Sequence, residues 1–317
     1  MRILLACPAP PRSLHGNRVT ALRWSRILQS LGHRVQIIQH FTGQPCDLLV
    51  ALHARRSHDA IVRYRQLHPR APLLVALTGT DLYHDIHTSR AAQESLELAD
   101  RLIVLQPRAR DELPPKLRPK VRVLYQSTLP TPGPIAKRSD VFQVCVLGHL
   151  RPVKDPFRAA FALRRLPAAS RIRVLHAGKA LSADMVNRAR ALMRRDPRYV
   201  WLGEIPRWQA RRMLARSRLL VLSSRMEGGA NVISEAVVDG VPVLASRIPG
   251  SVGLLGPRYP GYFPVADSDA LARLLNRAET DRPFYSRLLQ SIHQLKPLFD
   301  PARERNDWEK LLREMQE

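Results

Sequence analysis

The sequence predicts an α/β protein built from two doubly wound parallel-sheet domains, and three observations predict it. Short apolar runs alternate with stretches of helical periodicity, the pattern of strands joined by helices on both faces of a sheet. That alternation stops once, in a proline-rich stretch, and then begins again. The chain has 317 residues, beyond the size at which one hydrophobic core usually keeps growing. Apolar residues make up 45% of the chain and charged residues 25%, the balance of a folded globular protein and not of a disordered one.

The first domain is expected over residues 1–130. Residues 2–7 form a short apolar run, after which Pro8, Pro10 and Pro11 open a loop that reaches Gly16 and Asn17. Val19, Leu22, Ile27, Leu28 and Leu31 then fall at helical spacing, and Gly32 ends that helix as a left-handed cap. Further strands are expected at 35–39, 47–52, 73–77, 101–105 and 121–125, with helices near 61–67 and 91–98. Residues 131–140 contain Pro132, Gly133, Pro134, Lys137 and Arg138, which suit neither helix nor sheet and mark a linker.

The second domain, 141–297, repeats the alternation with strands at 142–147, 171–177, 199–202, 219–223 and 241–245. Two such halves are expected to face one another across a cleft lined by strand carboxyl ends. In the tail, 298–317, the residues Trp308, Leu311, Leu312 and Met315 share one helical face. That face needs apolar cover, so the helix is expected to pack back on the body of the protein.

Composition narrows the function classes. The three cysteines Cys7, Cys46 and Cys145 form neither a disulfide framework nor a zinc knuckle. No apolar run approaches the ~18 residues of a transmembrane helix, and residues 2–7 are too short for a secretory signal, so a cytoplasmic location is expected. Lysine and arginine number 51 against 27 acidic residues, a net charge of +24. Such a charge attracts nucleic acid, anionic lipid or phosphorylated substrates. The arginines are dispersed, as at Arg188, Arg190, Arg194 and Arg195, so the charge reads either as a solvated surface or as a polyanion site. Aromatic residues are only 6% and do not interleave with basic ones, so no specific nucleic-acid partner is expected.

The most informative segment runs from Ser223 through Glu227, Gly228, Gly229, Ala230, Asn231, Val232 and Glu235 to Asp239-Gly-Val-Pro-Val. A strand ends near Ser223, the two glycines permit a turn that a ligand can approach closely, and a helix follows from about Asn231. Free N–H groups at a helix N-terminus suit a diphosphate, and a carboxylate suits two vicinal hydroxyls of a sugar. The alternative is a glycine-rich loop with two solvated glutamates. A second constellation is Gly148-His-Leu-Arg-Pro-Val-Lys-Asp, placing Arg151 and Lys154 at a strand's carboxyl end, where two cations can clamp a departing diphosphate. The alternative there is two surface cations on a loop.

Three loops of the first half should line the same cleft: His53-Ala-Arg-Arg-Ser, Thr78-Gly-Thr-Asp and Gln106. Their hydroxyls, histidine and arginines suit a small anion, although a lone His53 is more often a satisfied structural residue. No predicted strand runs into an Asp-x-Asp pair and no His/Cys cluster has ligand spacing, so neither a metal nor another cofactor is expected. Neither a Ser-His-Asp order nor a nucleophile elbow argues for a hydrolase.

Two glutamates separated by seven residues just before a Gly-x-Pro-Val strand resemble the signature of the retaining glycosyltransferases of two Rossmann-like domains, the GT-B fold with family-4-like motifs. The resemblance implies that Glu235 holds the ribose of a nucleotide-sugar donor, that Glu227 faces the donor sugar, and that Arg151 and Lys154 meet the diphosphate. The commoner pattern has arginine immediately after the glycine, where this chain has His149. The loop of Gly16 and Asn17 occupies the place of the family's glycine loop.

At closer range, Pro8-Ala-Pro-Pro, Gly16-Asn-Arg-Val-Thr-Ala-Leu-Arg-Trp, Ala51-Leu-His-Ala-Arg-Arg-Ser, Val75-Ala-Leu-Thr-Gly-Thr-Asp-Leu-Tyr, Ser224-Arg-Met-Glu-Gly-Gly-Ala-Asn-Val and Ser246-Arg-Ile-Pro-Gly-Ser-Val-Gly-Leu-Leu-Gly resemble the selenosugar synthases of bacterial selenoneine biosynthesis. That resemblance implies transfer of the sugar of a UDP-sugar, UDP-N-acetylglucosamine or UDP-glucose, to selenophosphate, giving a 1-selenosugar, UDP and phosphate. Arg18, His53, Arg55, Arg56, Thr78 and Thr80 are then the candidate acceptor pocket. The competing expectations are a related glycosyltransferase with a lipid or polysaccharide acceptor, with a basic patch around Arg207, Trp208, Arg211 and Arg212, and a basic nucleic-acid-binding protein.

Overall fold

A computed structural model describes residues 1–11, 13, 16–79 and 81–316. The chain forms two compact units, Met1–Ser127 with Phe299–Glu317, and Thr128–Leu298. Residues 131–140 carry no helix or strand and belong to the second unit.

The first unit holds strands β1 (Arg2–Ala6), β2 (Arg34–Ile38), β3 (Leu48–Leu52), β4 (Leu73–Leu77), β5 (Arg101–Val104) and β6 (Val121–Val123). They form one sheet in the order β2-β1-β3-β4-β5-β6, with every pairing parallel. Its centre is made by the same pentapeptide twice: β3 and β4 both read Leu-Leu-Val-Ala-Leu and are buried at all five positions. Uninterrupted apolar strands are what a parallel sheet covered on both faces requires.

Helices α1 (Gly16–Ser30), α2 (His58–Leu67), α3 (Ile86–Thr88) and α4 (Arg90–Leu98) connect these strands, with a π-helical turn over Asp81–Asp85 ahead of α3. Ile61 and Tyr64 of α2 and Leu96 of α4 pack on one face of the sheet, and Trp24 and Leu28 of α1 on the other.

The second unit contains β7 (Phe142–Leu147), β8 (Ile172–Ala177), β9 (Tyr199–Trp201), β10 (Leu219–Leu222), β11 (Val243–Ser246) and β12 (Tyr262–Phe263). Its sheet, also parallel throughout, has the order β12-β11-β10-β7-β8-β9. Its helices are α5 (Arg158–Leu163), α6 (Ala183–Arg195), α7 (Arg207–Arg216), α8 (Asn231–Val238), α9 (Pro249–Leu255), α10 (Ser268–Thr280) and α11 (Arg282–Leu295). The last helix, α12 (Pro301–Glu314), returns to the first unit, where Trp308 meets Trp24 edge to face at 5.1 Å.

The predicted strands are recovered with small shifts at their ends. The largest are two residues, at β6, expected to 125 and ending at Val123, and at β11, expected from 241 and observed from Val243. Pro242 has no N–H to give the ladder; its carbonyl instead accepts from Leu220 N at 2.9 Å. Strand β12 and helices α3, α5, α7, α9, α10 and α11 are not among the predicted elements.

In each sheet the strand order reverses once, between β1 and β3 in the first unit and between β7 and β10 in the second. Loops that leave the carboxyl ends of strands on either side of such a reversal splay apart and leave a crevice where ligands bind. The loops so placed are those after Ala6 and Leu52 in one unit, and those after Leu147 and Leu222 in the other.

Candidate active site

In the second unit the two crevice loops are tied to each other. The loop after β7 makes a short 3-10 turn over Pro152–Lys154 and leaves it at Asp155, whose φ of 43° is left-handed. Ser223 Oγ donates to the carbonyls of Lys154 (3.2 Å) and Asp155 (2.8 Å), and Arg225 N donates to Val153 O at 2.8 Å. These bonds present the Lys154 side chain to Glu227, and Lys154 Nζ donates to Glu227 Oε1. Ser224 Oγ donates to the same oxygen at 2.5 Å. The pair is largely enclosed, with side-chain exposures of 23% for Lys154 and 11% for Glu227, so the ammonium is held in place and not merely nearby.

Behind these groups, two glycines and a histidine set the loop positions. A Cβ on Gly250, in the first turn of α9, would lie 1.9 Å from Glu227 O, and one on Gly178 would lie 1.9 Å from Gly148 O. Both close approaches exclude any side chain. His176 is fully buried at the end of β8, its Nε2 3.0 Å from Gly148 O and its Nδ1 2.9 Å from Tyr199 Oη. A carbonyl can only accept, so Nε2 carries the hydrogen and Nδ1 accepts from the tyrosine. Burial pushes the His176 pKa down to about 4, which keeps the ring neutral and this pattern fixed.

Gly228 and Gly229 lead into α8, whose N-cap Ala230 supplies no side-chain hydrogen bond. An uncapped N-terminus presents backbone N–H groups and the positive end of the helix dipole. Asn231 and Val232 form its first turn, and Glu235 lies four residues into the helix, 9% exposed. Glu235 Oε1 accepts from Arg207 Nη2 at 2.9 Å and stands 4.0 Å from Arg211 Nη1. Arg151 Nε is buried and makes no hydrogen bond among the described residues. His149 Nδ1 accepts from Lys179 N at 3.1 Å.

In the first unit Gly16, Asn17 and Arg18 form the first turn of α1, and Arg18 Nε is buried without a hydrogen-bond partner among the described residues. His53, directly after β3, takes a left-handed φ of 75° and is 3% exposed. It lies between two carboxylates, Nδ1 3.9 Å from Asp81 Oδ2 and Nε2 3.7 Å from Asp85 Oδ2, and Arg55 Nε meets Asp85 Oδ2 at 2.9 Å. Asp81 also receives the N–H groups of Ala54 at 3.1 Å and Gly79 at 2.8 Å, so it ties the His53 loop to the Thr78 loop. Burial is the largest influence on His53 and holds its pKa below the usual histidine value despite the two acids.

His53 and Arg55 therefore stand already matched to acidic partners, whereas Arg18 and Arg56 make no ion pair among the described residues. Thr78 Oγ1 is buried without a hydrogen-bond partner among the described residues, and Thr80 lies outside them.

The sequence assigns no site role to Ser224, Asp85, His176, Gly178 or Gly250, and does not place Arg207 and Arg211 beside Glu235. His176 has a signal: it alternates with Ile172 and Val174 on the buried face of β8, and a polar ring at such a position must find partners. In the expected patch of Arg207, Trp208, Arg211 and Arg212, Arg207 and Arg211 pair with acids and Trp208 is exposed at 64%.

Among the described residues no group of three or more His, Cys, Asp or Glu side chains is arranged to hold a metal ion. No described helix is long and apolar enough to cross a membrane.

The family model for glycosyl transferases group 1 matches residues 131–294, just over half of the chain and nearly all of the second unit. This chain belongs to the group 1 glycosyl transferases. Solved structures agree at the level of fold, which is GT-B. HepE from Anabaena, in complex with UDP and glucose, superposes with a TM-score of 0.77 at 18% identity, over 99% of this chain and 100% of that one. The sucrose-phosphate synthase of Thermosynechococcus elongatus gives 0.79 at 16% identity, over 99% and 98%. A glycosyltransferase from Rickettsia africae gives 0.74 at 12% identity, over 100% and 98%. In this group 1 glycosyl transferase the matched span contains Gly148, Arg151, Lys154, Glu227 and Glu235.

Proposed function

We propose that this group 1 glycosyl transferase takes the sugar of a UDP-sugar and transfers it to selenophosphate. The observation that carries the donor half is the enclosed Lys154–Glu227 pair at the sheet's switch point, within the family-matched segment and just ahead of the uncapped N-terminus of α8. A fixed ammonium and a helix N-terminus are what a departing diphosphate needs, and they act without reorganising during the reaction. Glu235 takes the ribose hydroxyls and Glu227 the donor sugar. The HepE structures hold UDP or UDP-glucose, which supports the same nucleotide here.

The acceptor half rests on the selenosugar-synthase resemblance of the loops at Gly16, His53 and Thr78. In the reaction the C1–O bond to UDP breaks and a C1–Se bond forms. Water then cleaves Se–P, leaving phosphate and the 1-selenosugar. Selenophosphate is already ionised near neutral pH, so the site must offer positive charge more than a strong base. Arg18 and Arg56 fit that requirement, with Arg55 held by Asp85.

The test mixes the purified chain with UDP-N-acetylglucosamine or UDP-glucose and with selenophosphate made in situ, and follows UDP release and product mass. A selenosugar mass that appears with UDP, and fails without acceptor, is the expected result. Equal UDP release with and without selenophosphate, and no selenium-bearing product, overturns the acceptor assignment. The exposed Trp208 favours a second reading, a lipid or polysaccharide acceptor, which would appear as sugar incorporated into an added lipid or glycan fraction.

A further inference from the structure

We propose that Arg211 is a positioning residue of the donor site, which fixes Glu235 from behind and joins it to the segment leading into the second unit. The inference rests on the reading that Glu235 binds the ribose.

Helices α7 and α8 face one another with a matched set of charges. Arg207 and Arg211 are four apart on α7, Glu235 and Asp239 are four apart at the end of α8, and residues so spaced share one helix face. Arg207 meets Glu235 at 2.9 Å, but its side chain is 47% exposed, so solvent screens that contact. Arg211 differs. Its side chain is 13% exposed, and its planar fork spans several partners: Asp239 Oδ2 at 2.9 Å, Leu129 O at 3.0 Å and Thr128 Oγ1 at 2.9 Å, with Glu235 Oε1 at 4.0 Å.

Asp239, 2% exposed at the side chain, in turn accepts from Thr131 N at 2.8 Å and Thr131 Oγ1 at 2.7 Å. Glu235 thus stands 4.0 Å from a polar chain that runs from Arg211 through Asp239 to residues 128–131. A guanidinium can donate to Asp239, Leu129 and Thr128 while approaching Glu235 because its donors are rigidly splayed; a lysine ammonium lacks that fixed fork. A pair that only stapled α7 to α8 would need Asp239 alone. The bonds to Thr128 and Leu129, together with the approach to Glu235, are what make Arg211 a device for placing Glu235.

The experiment measures, by calorimetry, the affinity of the full chain for UDP and for 2′,3′-dideoxy-UDP, and takes their ratio. The wild-type chain should prefer UDP by on the order of tenfold or more, the usual effect of losing hydrogen bonds to a charged group. Glu235→Gln should bring the ratio close to one. Arg211→Gln and Arg211→Lys should do the same while keeping the affinity for the dideoxy nucleotide, because the diphosphate contacts are untouched. Circular dichroism and thermal unfolding report whether each variant is folded, and Arg211→Lys, which keeps charge beside Asp239, decides if the glutamine variant is not. Arg211→Lys with a wild-type ratio, while Glu235→Gln loses it, overturns the positioning role. A ratio unchanged in Glu235→Gln overturns the ribose reading itself.

Discussion

Lys154 pairs with Glu227, and on the proposed reading it also faces the donor diphosphate; only that second task bears on turnover. Lys154→Ala is expected to lower kcat by about 10²–10³, the usual effect of removing one fixed stabilising group, with little change in thermal unfolding. Wild-type turnover in that variant would remove Lys154 from the reaction. Gly250→Ala tests the scaffold behind it. A methyl group cannot coexist with Glu227 O at 1.9 Å, so the Glu227 loop must move and UDP affinity should fall although no nucleotide contact has been deleted. Isothermal titration with UDP measures it.

His176 makes a third residue-scale claim, this one about pH. Its folded pKa of about 4 lies below the ~6.5 of an unfolded histidine, so the unfolded chain binds the proton more readily. The stability contributed by the neutral ring is therefore present above pH 6.5 and is lost as pH falls toward 4, at about 1.4 kcal/mol per pH unit. In urea titrations across that window, His176→Gln should show a shallower loss of stability than the wild-type chain. Parallel curves would mean that His176 is not the titrating group.

At the scale of elements, what could be read from sequence depended on whether the signal was local. Strands β3 and β4 announce themselves as unbroken apolar runs, and the Glu227–Glu235 spacing lies within one loop and one helix. The two residues of β12 are too few to show any period, and α9 begins with proline and glycine, which mask a helical pattern. Least legible were the polar partnerships. Arg55 finds Asp85, Arg211 finds Asp239, and Glu304 reaches back across nearly the whole chain to Trp24. No window of sequence contains both ends of such a contact.

Helix α12 shows how much one of them matters. Glu304, 1% exposed, accepts from Trp24 Nε1 at 2.9 Å, from Ser127 N at 2.8 Å and from Ser127 Oγ at 2.5 Å. It also pairs with Arg23 at 3.3 Å. Glu304→Ala removes the acceptor of the Trp24 indole N–H and of Ser127, and the carboxylate that pairs with Arg23, so the first unit should lose about 3–5 kcal/mol. Chemical unfolding followed through the fluorescence of Trp24 and Trp308 reads this directly.

At the scale of the whole molecule, each unit has its own sheet and its own buried core, yet they are assembled from the chain in different ways. The second is a single continuous segment; the first is completed only by residues from Phe299 onward. Trp308, Leu311 and Leu312 belong to the same core cluster as Ile3, Trp24 and Leu28. A chain ending at Leu298 should therefore lower the calorimetric transition of the first unit and leave that of the second in place. A second-unit transition that moves equally would contradict the division.

The same feature sets an order of events on the ribosome. The strands of the first unit emerge earliest, but one face of their sheet stays uncovered around Trp24 while some 170 further residues are made, because its cover lies beyond Leu298. The second unit has its whole sequence in hand before that cover exists. Synthesis from the N-terminus thus completes the second unit, with its Lys154–Glu227 pair, before the first unit can close over Trp24.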